Sequence, residues 1–494
     1  MKYSLTPDIE TRDGSLAKDA LTVNVIGGQV RPGIILQTLP AGATVPPVGY
    51  GRGLVYNQQL AFAYVVGAVM YFYTSARAAV SFPIDGTQNP VSLLSVLSPI
   101  WASPEAYVLL TSPGTTGFYY YTYSTGVVTA VSALSGIYFV SGIVALDDTY
   151  YVLTRDGAIL GSALGDFTTW NALNSLMVDL SVGDDFPVAL RRHLNYIVAF
   201  TRNTLQFFYD NGNPAPGSPL SAAATLLTPI GCLTPDSIIL AAGGYFFLGS
   251  ALEGSPAVYY LTGNQVVKVS TPAVERVLIQ VQSTHPFTTV NYIPKAGAVY
   301  SSLAVFNGKP VYILTFPYAN ITLYYNFEDK LWGTLTSSVS VGTDANGVPI
   351  FTEGYLKLAF AVAPPNDFGP MYQDMTTGRL VKFDTLNNSQ VDLGEPIVAR
   401  VQTQPVFDDN TNSLRRIAAT EIIGDKIAGT AYLSYSDDDY ATWSTWQPVS
   451  LSARRSRVLR QGATHRRSYR LQYSEALPMR FKELQLDVPV RPVE

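Results

Sequence analysis

The side chains that could carry out chemistry are scattered along this 494-residue chain and do not form a recognisable site. Its three histidines, His193, His285 and His465, are far apart, and no HxxxH pair or Cys/His cluster accompanies them. Because a zinc site needs three or four such ligands, the sequence predicts none. His193 lies at the mouth of a predicted strand and is interpreted as a turn-capping residue.

Acidic residues occur in contiguous runs at 147–148, 184–185, 408–409 and 437–439. Glycoside hydrolysis needs two carboxylates at a set separation, which sequence neighbours rarely provide. Calcium sites alternate oxygen ligands along the chain, and these runs do not. The runs are therefore interpreted as solvated turn residues. GxSxG, Walker A and strand-linked GxGxxG motifs are absent as well, so the sequence predicts no catalytic, cofactor or metal site.

An arginine-rich segment near the C-terminus is the charged feature for which we predict a role. Residues 451–494 hold ten basic and four acidic groups, a local charge of +6, so the formal net charge of −5 leaves −11 for residues 1–450. Docking onto an acidic partner surface is favoured, because the guanidinium group pairs bidentately with carboxylates. Sequence-independent phosphate binding and a solvated strand face stay open. The predicted docking residues are Arg454, Arg455, Arg457, Arg460, Arg466, Arg467 and Arg470.

The elements that must position these residues are short strands that repeat along the chain. An apolar, aromatic strand, a Gly, Asp or Asn turn and a second similar strand recur every 40–65 residues or so. Units this small must stack to bury their apolar faces, which indicates a β-propeller of six or seven blades. The second strand of each unit lies at Tyr71, Tyr119, Ala158, Leu205, Ala257, Leu323 and Arg379.

The sequence divides into three predicted parts, and the fold class is all-β. Residues 1–50, rich in Gly and Pro, are predicted to be an extended arm or a strand donated to another domain. Residues 51–390 form the propeller, with inserted loops near 210–235 and 285–298. Residues 391–494 alternate apolar and polar positions and are predicted to form a C-terminal antiparallel, sandwich-like β domain. Two segments, Ser162–Trp170 and Ser436–Trp443, are interpreted as degenerate Asp-box turns with structural roles.

The composition, poor in charge and rich in aromatic residues, fits a surface covered by partner subunits and equally fits a large all-β core that uses aromatic side chains. Only 14% of residues are charged, against ~25% in typical soluble domains, while 32 residues are tyrosine. The uncharged stretch Gly53–Ala76 is too short in its apolar part to span a bilayer and is predicted to form two buried strands that turn near Gly67. The single cysteine, Cys232, excludes an internal disulfide framework.

The stretch Val188–Gly249 resembles the packaged-DNA stabilisation and tail hub proteins of short-tailed phages, which include proteins like tail tubular protein B. The resemblance rests on Phe200, Thr204, Gln206, Phe207 and Phe208, and on a C-terminal segment, RVLRQGATHRRSYRLQY, that is similar to the arginine-rich last domain of that family. It does not extend to the N-terminal arm.

The family resemblance implies a hexameric nozzle in the virion tail, assembled in the host cytoplasm. This ring would lie below the portal and an adaptor ring, retain packaged DNA, provide the channel for its ejection and carry tail fibres or spikes. Within the channel it would meet double-stranded DNA non-specifically. A propeller glycosidase or a sugar-binding propeller is the alternative, and the sequence shows no arginine–tyrosine–carboxylate group that a sialidase would need.

Overall fold

The structure is a computed structural model in which nearly all regular elements are strands. Within the described residues there is a single α-helix, and no helix is long and apolar enough to cross a membrane. The structure describes residues 2–4, 21–57, 61–84, 89–97, 105–112, 116–213, 217–252, 254–288, 297–306, 308–364, 369–387, 389–405 and 414–488.

The segment predicted as an N-terminal arm contributes five short strands. These strands are β1 (Lys2–Ser4), β2 (Leu21–Val23), β3 (Val25–Ile26), β4 (Gln29–Val30) and β5 (Ile34–Leu36). β1, β2 and β5 pair with distant parts of the chain, and β3 and β4 pair with each other.

Seven antiparallel blades follow in chain order. Blade 1 is β6 (Gly51–Asn57), β7 (Ala61–Val66), β8 (Val69–Phe72) and β9 (Val80–Ser81); blade 2 is β10 (Ser92–Leu97), β11 (Ala106–Thr111), β12 (Phe118–Thr122) and β13 (Val127–Ala130). Blade 3 is β14 (Phe139–Leu146), β15 (Thr149–Thr154), β16 (Ala158–Ala163) and β17 (Asp166–Met177); blade 4 is β18 (Pro187–His193), β19 (Tyr196–Thr201), β20 (Leu205–Asp210) and β21 (Leu220–Ala222).

Blades 5 to 7 depart from four consecutive strands by an extra strand, a helix, a hairpin and a strand from the N-terminal arm. Blade 5 is β22 (Ile230–Cys232) and β23 (Ile239–Ala241), both paired with β24 (Gly244–Ala251), then β25 (Ala257–Thr262) and β26 (Gln265–Lys268), after which helix α1 spans Pro272–Thr284. Blade 6 is β27 (Tyr300–Phe306), β28 (Lys309–Phe316), β29 (Ile321–Asn326) and β30 (Leu331–Thr334), followed by a hairpin of β31 (Ser337–Thr343) and β32 (Pro349–Gly354). Blade 7 is β33 (Leu358–Val362), β34 (Met371–Asp374), β35 (Leu380–Phe383) and, from the arm, β5.

The ring of blades is closed by strand β5. Its residues pair antiparallel with β35, from Leu36 opposite Val381 to Ile34 opposite Phe383, so the arm supplies the outermost strand of the last blade. The first strand of blade 7, β33, contacts β6 of blade 1, which completes the circle. The predicted propeller of six or seven blades is therefore confirmed, with seven.

Each repeated phrase in the sequence corresponds to the second and third strands of a blade. The seven positions recognised from sequence lie in, or directly before, β8, β12, β16, β20, β25, β29 and β35. In β7, Ala63 and Val65 pack toward blade 2, whereas Phe62, Tyr64 and Val66 pack toward blade 7. Both faces of such a strand are apolar because a neighbouring blade covers each of them, which accounts for the long uncharged run that turns at Gly67 (φ 60°).

Of the two predicted insertions, the structure describes most of the first and only the ends of the second. The segment 210–235 includes β21 and β22, so much of it belongs to blades 4 and 5 rather than to a projecting loop. Its small residues had obscured these three-residue strands. In the second insertion, residues 285–288 and 297–298 are described, while 289–296 lie outside the described residues. Helix α1, immediately before it, was not predicted from the sequence.

The C-terminal part forms a β-sandwich. Its strands are β36 (Val391–Asp392), β37 (Glu395–Pro396), β38 (Ala399–Gln402), β39 (Arg415–Gly424), β40 (Thr430–Ser436), β41 (Gln447–Ser450), β42 (Ser456–Thr464), β43 (Ser468–Tyr473) and β44 (Phe481–Asp487). One layer has the order β1-β44-β39-β42, and the other, β2-β38-β43-β40-β41, continues into blade 6 because β2 also pairs with β30. Side chains from both layers, including Ile422, Leu433, Leu471 and Leu484, share one core.

The arm is fixed where propeller and sandwich meet by the buried guanidinium of Arg31. Its Nε donates to Asn24 Oδ1 (2.9 Å), its Nη1 to Pro32 O (3.0 Å) and to Asp392 Oδ1 (2.9 Å), and its Nη2 to Thr336 O (2.8 Å) and to Asp392 Oδ2. All five N–H donors of the side chain are thus used. These bonds join the arm, the segment after blade 6 and the start of the sandwich.

Candidate docking surface and the propeller cavity

The structure separates the seven predicted docking arginines into distinct environments. The five on or near β42 and its following turn are all exposed, and two of them form surface ion pairs: Arg455 with Glu421 (2.5 Å) and Arg466 with Asp439 (3.1 Å). Surface pairs of this kind contribute little to stability. Exposed arginines with no ion pair among the described residues are Arg454, Arg457 and Arg460.

Arg467 is not available to a partner, contrary to its prediction as a docking residue. Its side chain is 2% exposed and pairs bidentately with Asp437 through Nε (2.6 Å) and Nη2 (2.7 Å). The guanidinium also donates to Gln461 O (2.6 Å) and lies 3.8 Å from the ring centre of Tyr435. The cause is strand register: β40 and β43 pair so that Ser436 is opposite Ser468, which brings the acidic run after β40 beside the arginines before β43.

Arg454, Arg457 and Arg460, here called the edge arginines, lie along one border of the sandwich. β42 is the outer strand of its layer, and within the described part of the chain it pairs with β39 alone. Charged side chains on an edge strand discourage pairing with other chains through the backbone, so part of their role is protective. Their uncompensated charge also leaves them able to contact an acidic surface.

Arg470 has a third environment, which the sequence interpretation missed. Its guanidinium lies over the rings of Trp443 and Trp446, 4.3 Å from each ring centre. Burial, and then the nearby charge of Arg400, lower the pKa of Arg470 to about 10. The sequence interpretation gives Trp443 a role only in an Asp-box turn; the W-x-x-W spacing at 443–446 is the signal that indicates an aromatic cation site.

The two predicted Asp-box turns have structural contacts. Asp166 accepts from the backbone N–H and hydroxyl of Thr168 (2.8 and 2.6 Å), and Trp170 donates to Phe167 O (2.6 Å). Asp438 accepts from the Thr442 backbone N–H (2.9 Å), and hydrogen bonds from Thr442 hold the pKa of this carboxyl at about 2.

The histidines and acidic runs show no grouping that would suggest a catalytic or metal site. His193 is buried, and its Nε2 lies 2.7 Å from Gly263 O. Asp185 accepts from the Thr201 hydroxyl (2.7 Å) in the loop that precedes blade 4. Among the described residues no three His, Cys, Asp or Glu side chains cluster as metal ligands would, and the run 408–409 lies outside them.

A cavity of about 280 Å³ lies at the centre of the propeller and is lined by residues of all seven blades. Its polar wall includes Ser141, Arg191 and Asp236. The Arg191 guanidinium donates to Ser141 O (3.2 Å) and Ser141 Oγ (3.1 Å). Burial raises the pKa of the Asp236 carboxyl to about 7, against the opposing effect of the Arg191 charge.

The Asp236 carboxyl is expected to make the protein less stable as the pH rises from about 4 to about 7. In this range the folded state holds the proton more tightly than the unfolded state, so the free energy of unfolding falls, by at most about 1.4 kcal/mol per pH unit. Asp236→Asn should remove this slope, as measured by urea unfolding from pH 4 to 8. Asp438→Asn is the control, because that carboxyl titrates below this range. Parallel profiles for wild type and Asp236→Asn would contradict the assignment.

Comparison with known proteins places this architecture in a phage family. The family model described as "Bacteriophage P22 Gp10, beta-propeller" matches residues 43–345. The chain belongs to this family. It is thus a phage structural protein, and the predicted resemblance to packaged-DNA stabilisation proteins is confirmed at the family level.

The P22 Gp10 family match covers blades 1–6 and ends just after β31. The edge arginines and the sandwich therefore lie outside the matched range. Within it, the motif residues Phe200 and Phe207 are buried in the core between blades 4 and 5, and Gln206 Nε2 donates to Asp179 O (2.6 Å). The motif residues therefore stabilise the blade, so the motif indicates the fold and not a binding or catalytic site.

Similar solved structures are propellers at low identity. Virginiamycin B lyase from Staphylococcus aureus is 11% identical, with 70% of this chain and 98% of that chain covered and a TM-score of 0.39. BamB from Moraxella catarrhalis is 11% identical (72% and 98% covered, TM-score 0.40), as is the Pan2 WD40 domain of Neurospora crassa (72% and 96%, TM-score 0.40). No curated protein sequence matches the chain significantly.

Proposed function

We propose that this member of the P22 Gp10 family is a non-catalytic component of the virion tail that forms a nozzle ring of identical subunits, six in number. The ring would dock onto an adaptor ring, retain packaged DNA, line the channel for its ejection and carry fibres or spikes. It would assemble in the host cytoplasm. The observation that carries this proposal is the family match over the propeller.

The proposed DNA channel lies between subunits and not through a propeller. A sphere with the volume of the central cavity is roughly 8 Å across, narrower than the major groove alone of B-DNA, about 12 Å wide. A ring is therefore needed to enclose a duplex. The low charged fraction of 14% supports this proposal, because the cores of subunit interfaces are depleted in charged residues.

The ring is expected to form when the purified protein meets its adaptor ring. Mass photometry of the mixture should show a species heavier than the adaptor by six chains of 53.6 kDa. The protein alone provides the reference mass. A protein that stays monomeric with the adaptor and is missing from purified particles would rule out the nozzle, while family membership would stand.

A further inference from the structure

A groove of about 380 Å³ separates the hairpin β31–β32 from the sandwich layer that contains β38 and β43. One wall belongs to the hairpin and is mostly apolar, with Val348, Pro349, Ile350 and Phe351, but it also includes the carboxylate of Asp344 in the turn. The opposite side is polar and aromatic, and the side chains that the argument uses there are Arg400, Trp446 and Arg470.

The groove contains two guanidinium groups, of which only Arg400 is paired with a carboxylate among the described residues. The lining also includes the carboxylate of Asp344, whose Oδ1 accepts from the backbone N–H groups of Asn346 and Val348 (both 2.8 Å). Arg400 Nη1 pairs with Glu353 (2.5 Å), and its Nε donates to Gln472 Oε1 (3.0 Å). Among the described residues Arg470 has no ion pair, and its Nε is buried without a hydrogen-bond partner. Trp443 and Trp446 contact the face of this guanidinium, and such contacts leave the N–H groups in its plane unused.

Arg470 is half-buried, and a guanidinium whose Nε is buried without a partner is destabilising unless an anion satisfies it. Burial and the like charge of Arg400 lower the pKa of Arg470, in keeping with its lack of an ion pair among the described residues. A planar guanidinium fork in such a place fits a carboxylate, which accepts two parallel N–H bonds.

We propose that this groove binds a carboxylate side chain carried on an extended polypeptide segment of a partner protein, with Arg470 as the bidentate donor. The site goes beyond the ring assignment and does not depend on it.

Two features favour an extended peptide as the occupant. β31 and β32 form a two-stranded sheet, so among the described residues no strand pairs with the outer edge of β32, which borders the groove through Pro349, Ile350 and Phe351. An extended segment can add to such an edge through its backbone and place alternate side chains on each side. A DNA duplex could not enter a groove of this size.

The experiment uses the full-length protein and an array of acetylated, amidated pentapeptides with Glu, Asp, Gln or Asn at the centre and apolar or polar neighbours. Wild type should retain peptides with a central Glu or Asp at least tenfold better than the matching peptides with Gln or Asn. Among the acidic peptides it should prefer those with an apolar residue next to the centre. Arg470→Gln should lose this selectivity. Arg457→Gln, which removes an exposed arginine elsewhere on the sandwich, should keep it.

A second variant is expected to strengthen peptide binding instead of weakening it. Glu353→Gln removes the carboxylate that holds Arg400, so acid-centred peptides should bind several-fold more tightly, as measured by the tryptophan fluorescence of the protein in solution. This variant also decides the matter if Arg470→Gln does not fold. The proposal is wrong if wild type retains acid and amide peptides equally, or if the Arg470 and Arg457 variants lose binding equally. It is also wrong if Glu353→Gln binds acid-centred peptides no more tightly than wild type, or if a short DNA duplex displaces bound peptide.

Discussion

Replacing Arg31 with alanine is expected to lower the free energy of unfolding by about 3–5 kcal/mol and to loosen the N-terminal arm. The change leaves Asp392 buried without its cation, since that side chain is 7% exposed. Asp392 Oδ1 also accepts from the backbone N–H of Ile34 (2.9 Å), so disturbing the carboxylate affects β5 directly. Loss of β5 would uncover the edge of β35 and open the ring between blades 7 and 1.

Urea unfolding and limited proteolysis would measure this effect, with cleavage between β5 and β6 as the sign of a released arm. Arg31→Lys keeps the charge but not the planar fork, so it should fall between the alanine variant and wild type. Arg31→Met combined with Asp392→Leu removes both charges and should restore much of the loss. Arg454→Ala, at an exposed position, should change stability by less than about 0.5 kcal/mol. A stability of Arg31→Ala equal to that of wild type would show that other contacts hold the arm.

The propeller could be predicted from sequence because its signal is local. The second and third strands of a blade are joined by a short turn and buried on both faces, so each gives an apolar, aromatic pair such as β7–β8 or β28–β29. Outer strands such as β21 are short and half-exposed, with the burial pattern of Leu220–Ala222 running from buried to exposed. Such strands have no distinct composition, which is why 210–235 was interpreted as an insertion.

Helix α1 was detectable in principle. Thr271 precedes a proline at the first helical position, and Val274, Val277, Leu278 and Val281 recur at helical spacing on its buried side. The helix is easily missed because repeated strands precede and follow it in the sequence.

Pairing between distant segments was not predictable from local patterns. The three residues of β5 close a blade more than 340 positions away, and Arg31 meets Asp392 across 361 positions. The same limit applies to the docking site. The acidic run 437–439 and the arginines at 466–467 were treated as separate features, yet the register of β40 and β43 pairs them. The sequence alone does not show which arginines form ion pairs with carboxylates of the same chain.

The docking prediction therefore concerns the edge arginines. Reversing all three, in Arg454→Glu/Arg457→Glu/Arg460→Glu, is expected to block docking onto the adaptor ring while the protein stays folded. Each side chain is exposed and has no ion pair among the described residues, so its reversal costs little inside the chain. Against an acidic surface each reversal turns attraction into repulsion, and a lost charge pair at a buried interface costs on the order of 2–5 kcal/mol.

Particles produced with this triple variant should carry the adaptor but no nozzle and should lose their DNA, as seen by electron microscopy and by DNA content. A matched control is Arg155→Glu/Arg276→Glu/Lys330→Glu, which changes the net charge equally at exposed positions of the propeller region and should assemble normally. Arg467→Glu is unsuitable for this test, because it would set two carboxylates against each other at Asp437 and unfold the turn. If the triple variant assembles and only DNA retention changes, the edge arginines face nucleic acid instead, since phosphate contacts depend on the same charges but not on a protein partner.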